Sequence, residues 1–308
     1  MKKIILTHLL LAGLATGFAQ QEYTYTFFGD NTSFFNPAAT GSSEYASLTG
    51  AFRKQWVGFD GSPTSGGVTY ELPLKKYNMG VGGMVYQDHV GVTNQTNIAA
   101  LYSYQVKLND NNRLAFGVNA GIDLVNTKYD RLTYWDADDE VFTAGYVNLA
   151  VPHIGIGAYY YTKNVYAGIS VPRIMSVNAD QFNSANFQDA PSLMTHYYLT
   201  AGFKTELNED FSLKTALLMK YVKNVKPQAD ISLMALYKNM FGLGVSYKSL
   251  GFVSTFLQYN YKDAVVFGYA FDFSTNPLQG YCKGSHEILL QYRFGLDPFD
   301  LKGKASID

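Results

Sequence analysis

Residues 113–124 read Arg113, Leu114, Ala115, Phe116, Gly117, Val118, Asn119, Ala120, Gly121, Ile122, Asp123, Leu124. The even positions are apolar throughout, and the odd ones are small, polar or charged. Successive side chains of a strand point to opposite faces, so this period of two builds a strand with one face for lipid and the other for water or a packed polar interior. The alternation recurs at Val165, Ala167, Ile169, Val171; at Ile231, Leu233, Ala235, Tyr237; and at Phe241, Leu243, Val245, Tyr247. It returns at Val265, Phe267, Tyr269, Phe271, Phe273 and closes with His286, Ile288, Leu290, Tyr292, Phe294.

Working outward, the pattern predicts strands over 45–57, 65–73, 79–87, 95–107, 112–124, 153–162, 164–172, 194–207, 210–222, 229–238, 240–248, 251–261, 263–273 and 285–294. That is fourteen, the even number expected of a bacterial single-chain barrel. The connections after even-numbered strands are short and rich in Asn, Asp and Lys, residues that reverse a hairpin. Two of the others, 125–152 and 172–193, are far too long for hairpin turns. Long and short connections thus sort to opposite ends. The expected fold is all-β, a transmembrane antiparallel up-and-down β-barrel of about fourteen strands. Closure follows from the solvent, because lipid offers no hydrogen-bond partners to an open sheet edge.

Composition agrees. Of 308 residues only 16% are charged while 16% are aromatic, against about 25% charged in ordinary soluble domains. The mean hydropathy of −0.09 excludes a bundle of membrane-spanning helices. Tyrosines at 159–161, 197–198, 259 and 261 are expected in aromatic girdles at the membrane surfaces.

Lys2 and Lys3, the apolar run 4–14 and the small-x-small site Gly17, Phe18, Ala19 before Gln20 form the layout of a signal peptide over 1–19. Its removal leaves 22 basic and 25 acidic residues, a balance that gives no reason to bind nucleic acid. Cys282 is the only cysteine, so neither a lipid-anchor thiol near the leader nor an intrachain disulfide is available. Residues 20–44 precede the barrel (45–294) and are expected either in the periplasm or folded into the lumen as a plug. Asn36 and Pro37 lie in this segment, and residues 295–308 form a periplasmic tail.

Several blocks are more specific than alternation. Residues 34–42 (FFNPAATGS) lead into 52–64 (FRKQWVGFDGSPT), followed by 79–83 (MGVGG), 88–91 (DHVG) and 102–104 (YSY). Further on come 152–157 (PHIGIG), 168–172 (GISVP) and the ending 285–294 (SHEILLQYRF). These blocks resemble the PorP/SprF family, outer-membrane proteins of the type IX secretion and gliding-motility system. The resemblance implies a non-enzymatic barrel in the cell outer membrane. Its partners would be secretion machinery and a secreted, adhesin-like cargo protein with a type B C-terminal sorting domain, which the barrel helps export or anchor. The tail at 295–308 departs from the usual ending.

Function on such a scaffold belongs to loops, because strands are committed to lipid and lumen. The first long loop carries Tyr134, Trp135, Asp136, Asp138, Asp139, Phe142 and Tyr146, aromatics beside acids that suit a partner peptide. Phe182 and Phe187, with Met194, offer a second patch. The acids lack the glycine and distal glutamate of a helical calcium loop, and a solvated acidic loop is the favoured reading. No cofactor is implied. In the first strand, Arg53 and Gln55 are expected to face the lumen, with Leu48, Phe52 and Trp56 outward; Glu71 and Asp123 are the expected carboxylate partners of Arg53. Catalysis has little to rest on, since Asp88 and His89, as neighbours on a strand, point to opposite faces. The rival function is a channel for small hydrophobic or polar solutes, which the small inward residues would also permit.

Overall fold

The computed structural model describes residues 24–128, 147–174 and 194–294. Fourteen strands close into one antiparallel barrel: β1 (Ala46–Lys54), β2 (Thr64–Leu74), β3 (Met79–Val90), β4 (Thr93–Lys107), β5 (Arg113–Thr127), β6 (Val147–Tyr161) and β7 (Val165–Val171) make the first half. The second half is β8 (His196–Glu206), β9 (Phe211–Val222), β10 (Gln228–Tyr237), β11 (Phe241–Lys248), β12 (Phe252–Tyr261), β13 (Val265–Ser274) and β14 (Ser285–Phe294). Each strand pairs with its sequence neighbours, and β1 pairs with β14 from Ala46↔Phe294 to Lys54↔His286.

The alternation sorts as its physics requires. On β5, Phe116 (52% exposed) and Val118 (46%) face out while Ala115 (0%) and Asn119 (2%) are buried inside. Ile156, Ile169 and Leu243 continue the outward apolar belt. Replacing Val118 by arginine, near the middle of its strand, is expected to cost about 2–4 kcal/mol, whereas an arginine at a strand end costs about 0–1. Urea titration of the lipid-reconstituted barrel measures the difference.

Boundaries depart from the alternation where it fades. β5 and β6 reach Thr127 and Val147, so their connection is narrower than 125–152. The extension carries an outward row of Asn94, Asn126 and Asn148 in cross-strand register. With polar residues on the outward face too, a period-two signal has nothing to show. Gly91 (φ +57) and Val92 alone join β3 to β4. The end that carries the long loops therefore also carries tight turns, and the sorting by length is looser than expected. β1 stops at Lys54 because Trp56 adopts φ +46, which ends extended backbone.

The tyrosine doublets split between faces. Tyr197 (48%), Tyr259 (36%) and Tyr261 (37%) are exposed outward, but Tyr159 (5%) and Tyr198 (4%) are buried inside. Only part of the first two clusters can therefore join a girdle, since adjacent strand residues cannot share a face, whereas Tyr259 and Tyr261, two positions apart, both face outward. The outward Phe241–Tyr259 and Phe211–Tyr237 ring pairs lie at the short-turn end.

Candidate functional site in the barrel lumen

Residues 24–45 run through the inside of the barrel as far as Ser42, with Ser43 and Glu44 exposed just before β1. Phe27, Phe28, Phe35, Asn36, Ala38 and Thr40 are each no more than 2% exposed. Two 3-10 turns, Thr32–Phe34 and Pro37–Ala39, fold the segment compactly. Pro37 stands at the first position of its turn, where a missing N–H costs nothing and a fixed φ helps. Asn36 caps that turn by accepting from Ala38 N at 3.0 Å, and its amide donates to Ala158 O at 3.0 Å on β6. One side chain thus shapes the segment and ties it to the wall.

The wall is hollowed to receive it. A Cβ on Gly157 would lie 2.0 Å from Asn36 Oδ1, one on Gly117 2.2 Å from Ala38 N, and one on Gly80 2.0 Å from Thr40 O. Inward glycines on three strands are therefore a bed fitted to the Asn36 side chain and to the backbone at Ala38 and Thr40. Around it, Ser103 Oγ donates to Thr40 O at 2.6 Å and Gln105 Nε2 to Gly41 O at 2.8 Å. Glu71 accepts from Ser33 Oγ at 2.7 Å and from Gly41 N at 3.1 Å. Phe27 packs edge-on against Phe256 of β12, on the opposite side of the barrel.

Two charged clusters flank the segment. In the first, Arg53 bonds Asp272 through one amino group and Glu287 through the other, at 2.9 Å for Glu287. Lys248 reaches Asp272 at 2.9 Å and Thr26 Oγ1 at 2.9 Å. Glu287 also accepts the backbone N–H groups of Thr26 (2.8 Å) and Phe27 (3.1 Å). Two cations and two carboxylates balance, and every one of them is at most 5% exposed. The cluster joins β1, β11, β13 and β14 to the start of the inner segment.

In the second cluster Asp123 accepts from Asn97 Nδ2 at 2.9 Å and from Gln95 Nε2 at 3.1 Å, and Arg173 Nε and His153 Nδ1 each stand 3.1 Å from its other oxygen. Arg173 follows β7 and also bonds the hydroxyl of Tyr86. Two hydrogen bonds and the Arg173 ion pair on one buried carboxylate tie the chain leaving β7 to the β3–β6 wall.

Arg53 is thus inward, but neither Glu71 nor Asp123 is its partner. The register explains this: Arg53 lies opposite Glu287 across the β1–β14 closure, whereas Glu71 lies opposite Ser47, at the other end of β1. Asp123 stands on β5, away from the seam. Gln55 and Trp56 lie beyond the strand end, so the expectation of alternating in and out does not apply to them; Trp56 N donates to Ser285 Oγ at 3.2 Å. Sequence reasoning missed Asp272, Glu287 and Lys248. The available signal was Asp272 within the apolar run 265–274, an acid that only the lumen face would accept. Tyr134, Trp135, Asp136, Asp138, Asp139, Phe142, Tyr146, Phe182 and Phe187 lie outside the described residues. Among the described residues no group of three or more His, Cys, Asp or Glu is arranged to hold a metal ion.

An apolar outer belt, a closed even-numbered wall and an inner segment latched across the lumen define an outer-membrane β-barrel filled by its own N-terminal region. The chain belongs to the family described as type IX secretion system membrane protein PorP/SprF, whose profile matches residues 17–292. No curated protein matches it in sequence. Among solved structures, the CymD monoaromatic hydrocarbon channel is similar at TM-score 0.52 and 14% identity, over 85% of this chain and 91% of that one. The Pseudomonas putida toluene transporter TodX is similar at TM-score 0.50 and 11% identity, over 89% and 95% of the two chains. At such identity the likeness is one of fold.

Proposed function

We propose that this barrel supports the secretion or surface anchoring of a cargo protein bearing a C-terminal sorting domain, and acts as a scaffold rather than a conduit. The observation that carries the reading is the filled lumen: residues 24–45 are held by a fitted glycine bed and by buried ion pairs. Family membership supplies the secretion context. On this reading residues 1–19 direct export, the short turns face the periplasm and its secretion machinery, and the connections 128–146 and 172–195 face outward. Tyr134, Trp135, Phe142 and Tyr146, beside Asp136, Asp138 and Asp139, form the partner surface, with Phe182 and Phe187 adding a second patch.

Replacing residues 128–146 by a short Asn-Gly turn is expected to release the surface cargo into the medium while the barrel stays folded. Cell-bound and shed adhesin, quantified by immunoblot, measure the effect, and undiminished retention would remove this loop from the proposal. The channel reading draws on the transport functions named for the similar structures. It requires passage past residues 24–45, and their packing counts against it.

A further inference from the structure

The lipid-facing wall is not uniformly full. Where β14, β1, β2 and β3 adjoin, it is indented by an open groove of about 490 Å³ lined almost wholly by apolar groups. Gly50 and Gly66 form its floor, and Phe52, Val68, Ile288 and Leu290 stand up around them. Neither glycine is required by the barrel itself. Beyond the chain neighbours, a Cβ on Gly50 would come no nearer than 3.9 Å to any atom and one on Gly66 no nearer than 3.4 Å, and neither residue has a positive φ. Inward Gly67, by contrast, would put a Cβ 2.6 Å from Tyr86 Cβ. Glycine weakens a strand, and one that internal packing does not require marks a place where something outside approaches closely.

The head of the groove is polar. One outward step beyond Phe52 and Gly66, toward the long-loop end, stand Lys54 and its cross-strand partners Thr64 and His286. Lys54 Nζ donates to Thr64 Oγ1 at 2.8 Å and to Ser62 O at 3.1 Å, both neutral acceptors. Among the described residues it has no ion pair, so its third N–H and its charge are uncommitted. His286 holds Nδ1 2.7 Å from the Tyr269 hydroxyl, and its Nε2 makes no hydrogen bond among the described residues. The same outward row continues through His89 and Asn94 into the Asn126–Asn148 pair, groups that exchange hydrogen bonds with hydroxyls. An apolar groove at lipid depth, headed by a cation without a counter-ion and flanked by amides, matches a lipid that carries acyl chain, phosphate and sugar in that order. We propose that the groove binds a phosphorylated glycolipid of the surrounding leaflet, with one acyl chain over Gly50 and Gly66, its phosphate on Lys54 and His286, and its sugar hydroxyls on His89 and Asn94. The inference rests on the outward orientation of the long loops given above, and not on the cargo.

The test uses full-length protein refolded into detergent, with barrel folding checked by unheated gel mobility. It is titrated with lipid A and, separately, with phosphatidylglycerol, and native mass spectrometry reads the bound species. The parent should hold a single lipid A. Occupancy should fall several-fold in Gly66→Leu, which fills the floor, and in Lys54→Gln, which removes the charge. Binding that survives in Lys54→Gln should be less sensitive to salt than that of the parent. Leu243→Ala, an outward residue of β11 outside the groove, should bind as the parent does. Equal occupancy in the parent and both groove variants overturns the proposal, and so does phosphatidylglycerol bound as well as lipid A. A barrel dimer in these spectra, or a foreign protein retained by membrane-extracted parent and lost from Gly66→Leu, overturns it too, because the groove then has another occupant. A barrel with residues 128–146 replaced should still bind lipid A, so failure here and failure of the cargo reading are separate results.

Discussion

Deleting residues 24–41 is expected to turn a closed barrel into a conducting one. The strands keep every backbone hydrogen bond, because none of the fourteen pairings involves this segment. What disappears is the filling: Phe27, Phe28, Phe35 and the Asn36–Thr40 turn leave behind a wall of Gly, Ser, Thr, Asn and paired charges that water solvates readily. In planar bilayers the parent should show a closed baseline and the deletion a persistent stepwise conductance. A parent that conducts as well as the deletion would show that residues 24–45 do not close the lumen, and the channel reading would then replace the scaffold. A point variant guards against misassembly of the shortened chain. Gly157→Phe places a ring where Asn36 Oδ1 would stand 2.0 Å from a Cβ, so the turn must leave its bed and conductance should again appear.

Arg53→Met should be the most destabilising single substitution among the charged positions of the lumen. It strands Asp272 and Glu287, buried at 1% and 0% side-chain exposure, with Lys248 as the remaining close cation. Removing one partner of a buried pair costs about 3–5 kcal/mol because the abandoned charge stays desolvated. The loss also reaches the inner segment, since Glu287 holds the N–H groups of Thr26 and Phe27. Unfolding in urea, followed by gel mobility, should show the lowered midpoint. Adding Glu287→Gln should recover part of the loss by removing one uncompensated charge. Acidification should do the same: protonating a stranded carboxylate neutralises it, so the gap between variant and parent narrows as pH falls. A gap that stays constant with pH, or Glu287→Gln adding its full cost to Arg53→Met, would mean the cluster is not coupled as its geometry indicates.

The residues that were legible in the sequence share one property, which is that their environment repeats. Leu114, Phe116 and Val118 meet lipid at every second position, and that regularity reveals strand, face and count together. Asn94, Asn126 and Asn148 stand above the apolar belt, where water meets the outward face, and there the strands run on past the alternation. The tyrosine doublets show the same limit on a smaller scale. Composition places Tyr197 and Tyr198 near an interface, but only the pleat decides that one faces outward and the other inward.

The pairings of the candidate site were less legible because they join residues far apart in the chain. Arg53 meets Glu287 across 234 positions, through a seam that exists only once the barrel has closed. Inward orientation of Arg53 followed from its neighbours, but the choice among Glu71, Asp123, Asp272 and Glu287 depends on register and on which strand closes against β1. The glycines gave a similar half-answer. Their alternation marked an inward face of small residues, compatible with an open or a filled lumen.

By itself the sequence determined that this chain is a fourteen-strand barrel with an apolar outside and a small, polar inside, because lipid imposes the same demand on each strand independently of the others. Where residues 24–45 lie, which carboxylates Arg53 answers, and that Gly80, Gly117 and Gly157 form one bed were decided only by the tertiary structure. Those features depend on distances across a closed lumen, and closure is a property of all fourteen strands at once.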